Sequence, residues 1–226
     1  MIDINISEHW RNSFPGAHIG FLLIENINNA IRFASLEERK KKIELSVREK
    51  YAGYTRADLL QLNPLSAYKR YYKKFDNTYH VQLQLESVAH KGKSLPNVSP
   101  LVDAAFASEM ETLLLTAGHD ADLLDGRISV DVTSGTEIFV QMNGKSRTVK
   151  ANDMMIKDES GVVCTTLHGQ DKRTPISPLT RRVLYVTYVP EGIIDDAVHS
   201  HLNTLKANVL LFAPESEVKY QEVHSA

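Results

Sequence analysis

Apolar and polar positions change their spacing partway along this chain, and the change divides it into a helical first half and a strand-rich second half. Residues 18–27 (HIGFLLIENI) form a short apolar run introduced by Pro15-Gly16, which predicts a buried strand. Ser35 and Glu38 have capping-box spacing, and the segment they open predicts a helix ending at Gly53. Thr55 caps a short second helix running to Leu62, and Pro64 stops it. Over residues 65–75 (LSAYKRYYKKF) a helical period puts Tyr68, Tyr71, Tyr72 and Phe75 on one side and Lys69, Arg70, Lys73 and Lys74 on the other. Residues 81–91 fit a strand or a helix. Residues 101–116 are good helix formers behind Asn97 or Ser99.

Beyond Asp125-Gly126 the runs become β-rich: residues 127–132, 137–142, 145–150, 161–167 and 182–189, with Asn143-Gly144 as a hairpin turn between two of them. Residues 193–206 predict a last helix whose first turn carries Asp195 and Asp196, where the helix dipole favours acid. A final strand is expected at 209–212, followed by a frayed tail. Helices first and strands later, with neither repeats nor a low-complexity linker, predict a single α+β unit over residues 1–226.

Composition narrows the function classes. A formal net charge of −2 gives no bulk attraction to polyanions, so any RNA contact must come from a local patch, and nothing points to DNA. The single Cys164 excludes an intrachain disulfide framework and fits a reducing, cytoplasmic setting. The N-terminus lacks the basic start and apolar run of a signal peptide, and no apolar stretch is long enough for a membrane span.

The densest candidate chemistry lies in residues 91–125, where His119 is followed by Asp120, Asp122 and Asp125. A histidine titrates near neutrality and can move a proton, and Asp122, three residues on, has the helical spacing to orient it. No metal is expected: the aspartates lack calcium-loop spacing and a closing glutamate, and His199 and His201, two apart on a helix, face different ways. No cofactor is expected either, because GxxxxGK[ST] and GxGxxG are absent, and the GxSxG and HExxH hydrolase motifs are missing too. The tyrosine and lysine faces of residues 65–75 fit a core aromatic face with a solvated basic one, or a nucleic-acid surface.

Several segments, in order, resemble the tRNA-binding and editing domain, B3/B4, of the phenylalanyl-tRNA synthetase beta subunit, and more closely the free-standing proteins built from it. Ser99-Pro100-Leu101-Val102-Asp103 is similar to that family's Asn-Pro-Val-Val-Asp helix start. Gly118-His119-Asp120-Ala121-Asp122 stands where the family has His-Ala-Phe-Asp. Asn143-Gly144-Lys145, Asn152-Asp153 and residues 156–161 resemble its strand-turn-strand region, and residues 168–171 with 178–183 its glycine-rich turn and following strand.

The resemblance implies an α+β fold in which a helical N-terminal part packs on a β-sandwich-like core. It also implies binding of tRNA and hydrolysis of a mischarged aminoacyl ester. On that reading His119 and Asp122 are catalytic, and Asp120, Thr165, Thr166, His168 and Asp171 line the substrate pocket. Lys69, Arg70, Lys73, Lys74, Arg181 and Arg182 hold RNA phosphates. Three departures stand out: Ala105-Phe106 replaces the family's Thr-Asn pair, the spacing from there to His119 is two residues longer, and Val186 replaces its pocket glutamate. A site without a partner for a hydroxyl does not select for one, so a tyrosine pocket is not expected. Two readings follow, trans-editing of mischarged tRNA, or a non-catalytic module that binds RNA or an amino-acid-like ligand.

Overall fold

The computed structural model describes residues 2–226. It contains seven α-helices and three sheets, an α+β arrangement, and most of the sequence-predicted elements stand where they were expected. The N-terminal half holds α1 (Glu8–Ser13), α2 (Ala34–Tyr51), α3 (Arg56–Leu59), α4 (Asn63–Lys73), α5 (His80–Lys91) and α6 (Pro100–Thr112). These alternate with β1 (Ile4–Ile6) and β2 (His18–Glu25), and α7 (Asp195–Leu210) comes late in the chain. Thr55 and Asp58 form the capping box of α3. Ser35 does not cap α2: it lies within the first turn, and its hydroxyl donates to the Leu211 carbonyl.

One sheet has five strands in the order β1-β4-β7-β8-β9, where β4 is Ile128–Val132, β7 Met154–Asp158, β8 Gly161–Thr165 and β9 Gly169–Gln170. A second has four, in the order β11-β2-β10-β3, where β3 is Leu115–Asp120, β10 Val183–Val189 and β11 Glu217–Ser225. The hairpin β5 (Ile138–Val140) and β6 (Ser146–Thr148) turns through Asn143 and Gly144, whose φ of 80° suits glycine.

The two central strands of the four-stranded sheet, β2 and β10, are buried on both faces. Leu184, Val186 and Tyr188 of β10 join Ile19, Phe21 and Leu23 of β2 in a core shared with Ile128, Val130, Ile156 and Val163 of the five-stranded sheet. The alternate residues Val183, Tyr185, Leu22 and Ile24 pack with Leu101 of α6 and Leu202 and Leu205 of α7. At Gly20 a Cβ would lie 3.1 Å from Val198 and 3.2 Å from Leu202, so the absence of a side chain lets α7 lie close on β2.

Three segments differ from the sequence expectation. Residues 209–212 are not a strand: Val209 and Leu210 are the last residues of α7, and a turn follows. Residues 101–116 do not form one helix: α6 stops at Leu113, which takes a left-handed φ of 62°, and the chain reverses into β3. The tail is not frayed either, because β11 pairs along the length of β2.

The aromatic face of α4 belongs to the core, and each tyrosine hydroxyl has a role there. Tyr68 donates to the Tyr188 carbonyl (2.5 Å) and accepts from the Leu115 amide (2.9 Å). Tyr71 donates to Asp153 Oδ1 (2.5 Å) and accepts from the Met154 amide (2.8 Å), and Tyr72 donates to the Thr166 carbonyl (2.7 Å). These bonds tie α4 to both sheets, while Lys69, Arg70, Lys73 and Lys74 stay exposed.

Candidate functional site

A cavity of about 430 Å³ lies between α6, the outer strand β3 and the β8–β9 end of the five-stranded sheet. That is within the size range of small-ligand sites, roughly 300–1,000 Å³. Helical spacing brings Val102, Ala105, Phe106 and Glu109 of α6 to one wall, and Leu115, Thr116, Ala117 and Gly118 of β3 form the next. Cys164, Thr165, Thr166, Gly169, Gln170 and Tyr188 close it, with Met142 of the hairpin, Val98, Ile176 and His80 at the remaining sides. A Cβ at Gly118 would lie 2.7 Å from Ile176 and 3.0 Å from the Tyr185 ring, so only glycine lets these two approach β3.

Apolar walls surround one acid. Glu109 is 3% exposed, and its Oε1 accepts from the Thr116 amide at 2.8 Å. Among the described residues no lysine or arginine lines the cavity, and burial raises the Glu109 carboxyl to about 8. Tyr188 is also buried here, and its hydroxyl has no hydrogen-bond partner among the described residues.

The structure separates the sequence-predicted site residues. Thr165 and Thr166 line the cavity. His119 does not: it is 0% exposed within β3, and its Nδ1 lies 2.9 Å from the Thr174 hydroxyl. Thr174 donates its own proton to Asp171 Oδ1, so His119 Nδ1 is the donor in that pair, and Nε2 is left with no partner. Burial lowers the imidazole to about 3. A histidine with no access to solvent or cavity cannot reach an ester, so the expected proton-moving role of His119 does not fit this geometry.

Asp122 does not orient His119 either. It stands in a 3-10 turn after β3 and pairs with Arg182 at 2.5 Å. Asp120 accepts from the Thr180 hydroxyl and the Asp122 amide, which braces the same turn. Asp171 is buried away from the cavity, bonded to Thr174 and paired with Arg173 at 2.8 Å. These acids hold loops.

His168 sits beside the cavity and not in its wall, one residue before Gly169. Its Nδ1 is 3.1 Å from Arg147 Nη1 and its Nε2 is 3.4 Å from the Lys150 amide. Partial burial and the nearby charges of Arg147 and Lys150 keep it below its ordinary range. Lys150 reaches on to α4, donating to the Phe75 carbonyl at 2.5 Å. Arg147 and Lys150 are exposed, and the ion pairs among the described residues use other cations.

The six cations expected to hold RNA do not form one patch. Lys73 and Lys74 lie one turn or less from Phe75 and so continue toward Lys150. Arg182 stands at the start of β10, whereas Arg70 reaches the Glu191 carbonyl past its end, and seven strand residues put roughly 25 Å between those ends. Arg182 is in any case bound to Glu25 and Asp122. Arg181 is exposed and donates to the Pro178 and Thr180 carbonyls.

A more voluminous cleft, about 750 Å³, opens beside Arg127, Lys157 and Arg182, but each cation there already has an acid, namely Asp3, Asp131 and Asp122. Among the described residues no group of three or more His, Cys, Asp or Glu side chains is placed to hold a metal, and no helix is long and apolar enough to cross a membrane.

Glu109 is a site residue that the sequence did not single out, although Val102, Ala105, Phe106 and Glu109 follow the i, i+3, i+4, i+7 pattern of a buried helix face with an acid at its last position. Val186, aligned with the resembled family's pocket acid, is wholly buried in the shared core and does not line the cavity.

Comparisons with known proteins agree with this architecture. A comparison with curated proteins finds no match. An N-terminal fragment of the phenylalanyl-tRNA synthetase beta subunit from Pyrococcus horikoshii has a similar fold, with a TM-score of 0.52 and 10% identity over all of this chain and 55% of that one. This chain thus spans about half the length of that fragment. Residues 65–208 match the model of the B3/4 domain, and the chain belongs to that domain family.

Proposed function

We propose that this chain is a tRNA-binding B3/4 unit. The RNA backbone follows the cations from Lys73 and Lys74 across Lys150 and Arg147, and the aminoacyl end enters the cavity walled by α6 and β3. The observation that carries this reading is the position of Arg147 and Lys150, exposed, free of acidic partners and bracketing His168 one residue from the cavity wall. Cations left without acids gain by neutralising phosphates and releasing their counterions.

Trans-editing, the hydrolysis of a mischarged ester within the same cavity, is the second reading. It is favoured by Glu109, an ionisable group near neutrality facing that space. It runs without His119. The alternative of a small amino-acid-like ligand uses the same walls and needs no RNA.

Filter binding of labelled tRNA at several salt concentrations tests the lead reading. The logarithm of the affinity is expected to fall linearly with log salt, and the double change Arg147→Ala with Lys150→Ala to reduce the slope by about 2. Absence of salt-dependent binding overturns it. A panel of mischarged tRNAs incubated with the same protein decides whether hydrolysis accompanies binding, and no turnover on any of them removes the editing reading.

A further inference from the structure

Glu109 is a buried acid with no lysine or arginine beside it among the described residues, so it can carry its charge only when a cation joins it in the cavity. We propose that Glu109 is the counter-ion for the α-ammonium group of an amino acid whose side chain is hydrocarbon and whose carboxyl group is esterified. This inference rests on the cavity being the ligand site of the preceding section.

Two features of the cavity carry it. The lining contains no lysine or arginine, so a free carboxylate would enter beside an acid with nothing to neutralise it, whereas an ester or amide brings no negative charge. Beside Glu109 on the α6 wall stand Val102, Ala105 and Phe106, which give a hydrocarbon side chain apolar contact.

Proton linkage makes the pairing measurable. Empty, Glu109 is mostly protonated at pH 7, since its carboxyl stands at about 8. An ammonium group arriving beside it drives the proton off. Two other groups near these walls titrate closest to neutrality: Asp153, raised to about 6 by burial and bonded to Tyr71 and the Leu167 amide, and His168, lowered by partial burial; the Glu109→Gln variant below separates their protons from that of Glu109. The rest are silent there. Burial raises Tyr68, Tyr79 and Tyr188 well above the usual phenol range and Cys164 to about 12, and it lowers His201, bonded to Thr116, to about 3. His80 at the rim is lowered as well.

Isothermal titration calorimetry of the full chain at pH 7, in phosphate and in Tris, tests the proposal with leucinamide, free leucine and 4-methylpentanamide. Leucinamide is expected to bind with release of close to one proton. Free leucine, which keeps its carboxylate, and 4-methylpentanamide, which lacks the ammonium, are expected to bind at least about tenfold more weakly. Glu109→Gln, which retains the oxygen that accepts from Thr116, is expected to abolish the proton release and bring leucinamide and 4-methylpentanamide to similar affinity. Equal affinity of the unaltered protein for leucinamide and either comparison ligand overturns the pairing without recourse to the variant. If tRNA binds through Arg147 and Lys150 but no amide binds, the pairing is overturned and the RNA reading stands. If leucinamide binds as described and tRNA does not, the pairing stands and the RNA reading falls.

Discussion

Lys40 Nζ lies 2.9 Å from Asp103 Oδ2, with only 4% and 2% of the two side chains exposed. This buried ion pair joins α2 to the first turn of α6, and the other carboxyl oxygen of Asp103 accepts from the Val98 amide at 2.8 Å. The aspartate of the Ser-Pro-Leu-Val-Asp motif is therefore a structural clamp that fixes where the cavity wall begins. Removing Lys40 leaves the buried Asp103 carboxylate with only the more distant Arg32 guanidinium, at 3.9 Å, to balance its charge. Lys40→Met is expected to cost about 3–5 kcal/mol in urea denaturation, and the double change with Asp103→Leu less than the sum of the two single changes.

Tyr71 offers a second test of how α4 is held. Tyr71→Phe removes both the donor to Asp153 and the acceptor for the Met154 amide. A loss of about 1–3 kcal/mol is expected from the stranded partners. Lys69→Ala on the exposed face of the same helix is expected to lie within about 0.5 kcal/mol of the unaltered protein.

Stability should pass through a maximum in mildly acidic solution. Glu109 moves from 4.5 to about 8 on folding, so the unfolded chain gives up that proton first. Its contribution is complete below about pH 4.5 and is lost as pH rises toward 8, a change on the order of several kcal/mol. His119 and His201 move the other way, from 6.5 to about 3, so their contribution is present above 6.5 and is lost as pH falls toward 3. Thermal melts from pH 4 to 9 check both limbs, and Glu109→Gln is expected to flatten the alkaline one.

His119 separates a structural role from a catalytic one. His119→Ala removes the Thr174 bond and opens a void in β3, so a destabilisation of about 1–3 kcal/mol is expected. Affinity for leucinamide and any turnover on mischarged tRNA should change less than about threefold at a temperature where the variant stays folded. A loss of turnover near 100-fold with folding intact would return the imidazole to the reaction.

Much of the scaffold was legible because its cues are local. The Thr55–Asp58 cap, the Asn143-Gly144 turn and the two-sided pattern of residues 65–75 each act within a few residues, and each formed as read. What escaped depends on distant partners. Nothing in Leu113-Leu114-Leu115 announces a reversal, because the left-handed residue there is a leucine and the bonds that fix it come from Tyr79 and Tyr68. The strand β11 carries few large apolar residues and exists because β2 offers it a backbone ladder. At the site, Thr165 and Thr166 do line a cavity, whereas the burial of His119 could not be read from composition. Glu109 was hidden by its neighbours: an acid in a helix usually faces water, and only its register with Val102 and Ala105 marks it as inward.

The pairing of both sheets also sets the timetable of folding. Ile4 meets Ile128, His18 meets Val189, and Glu25 meets Glu217, so neither sheet can be completed from one contiguous stretch. During synthesis the tyrosine-bearing helix α4 is made long before Tyr188, the strand residue that receives its first hydroxyl. Until then its rings have no cover, which makes this chain a slow folder with a long interval of exposure to chaperones and to aggregation.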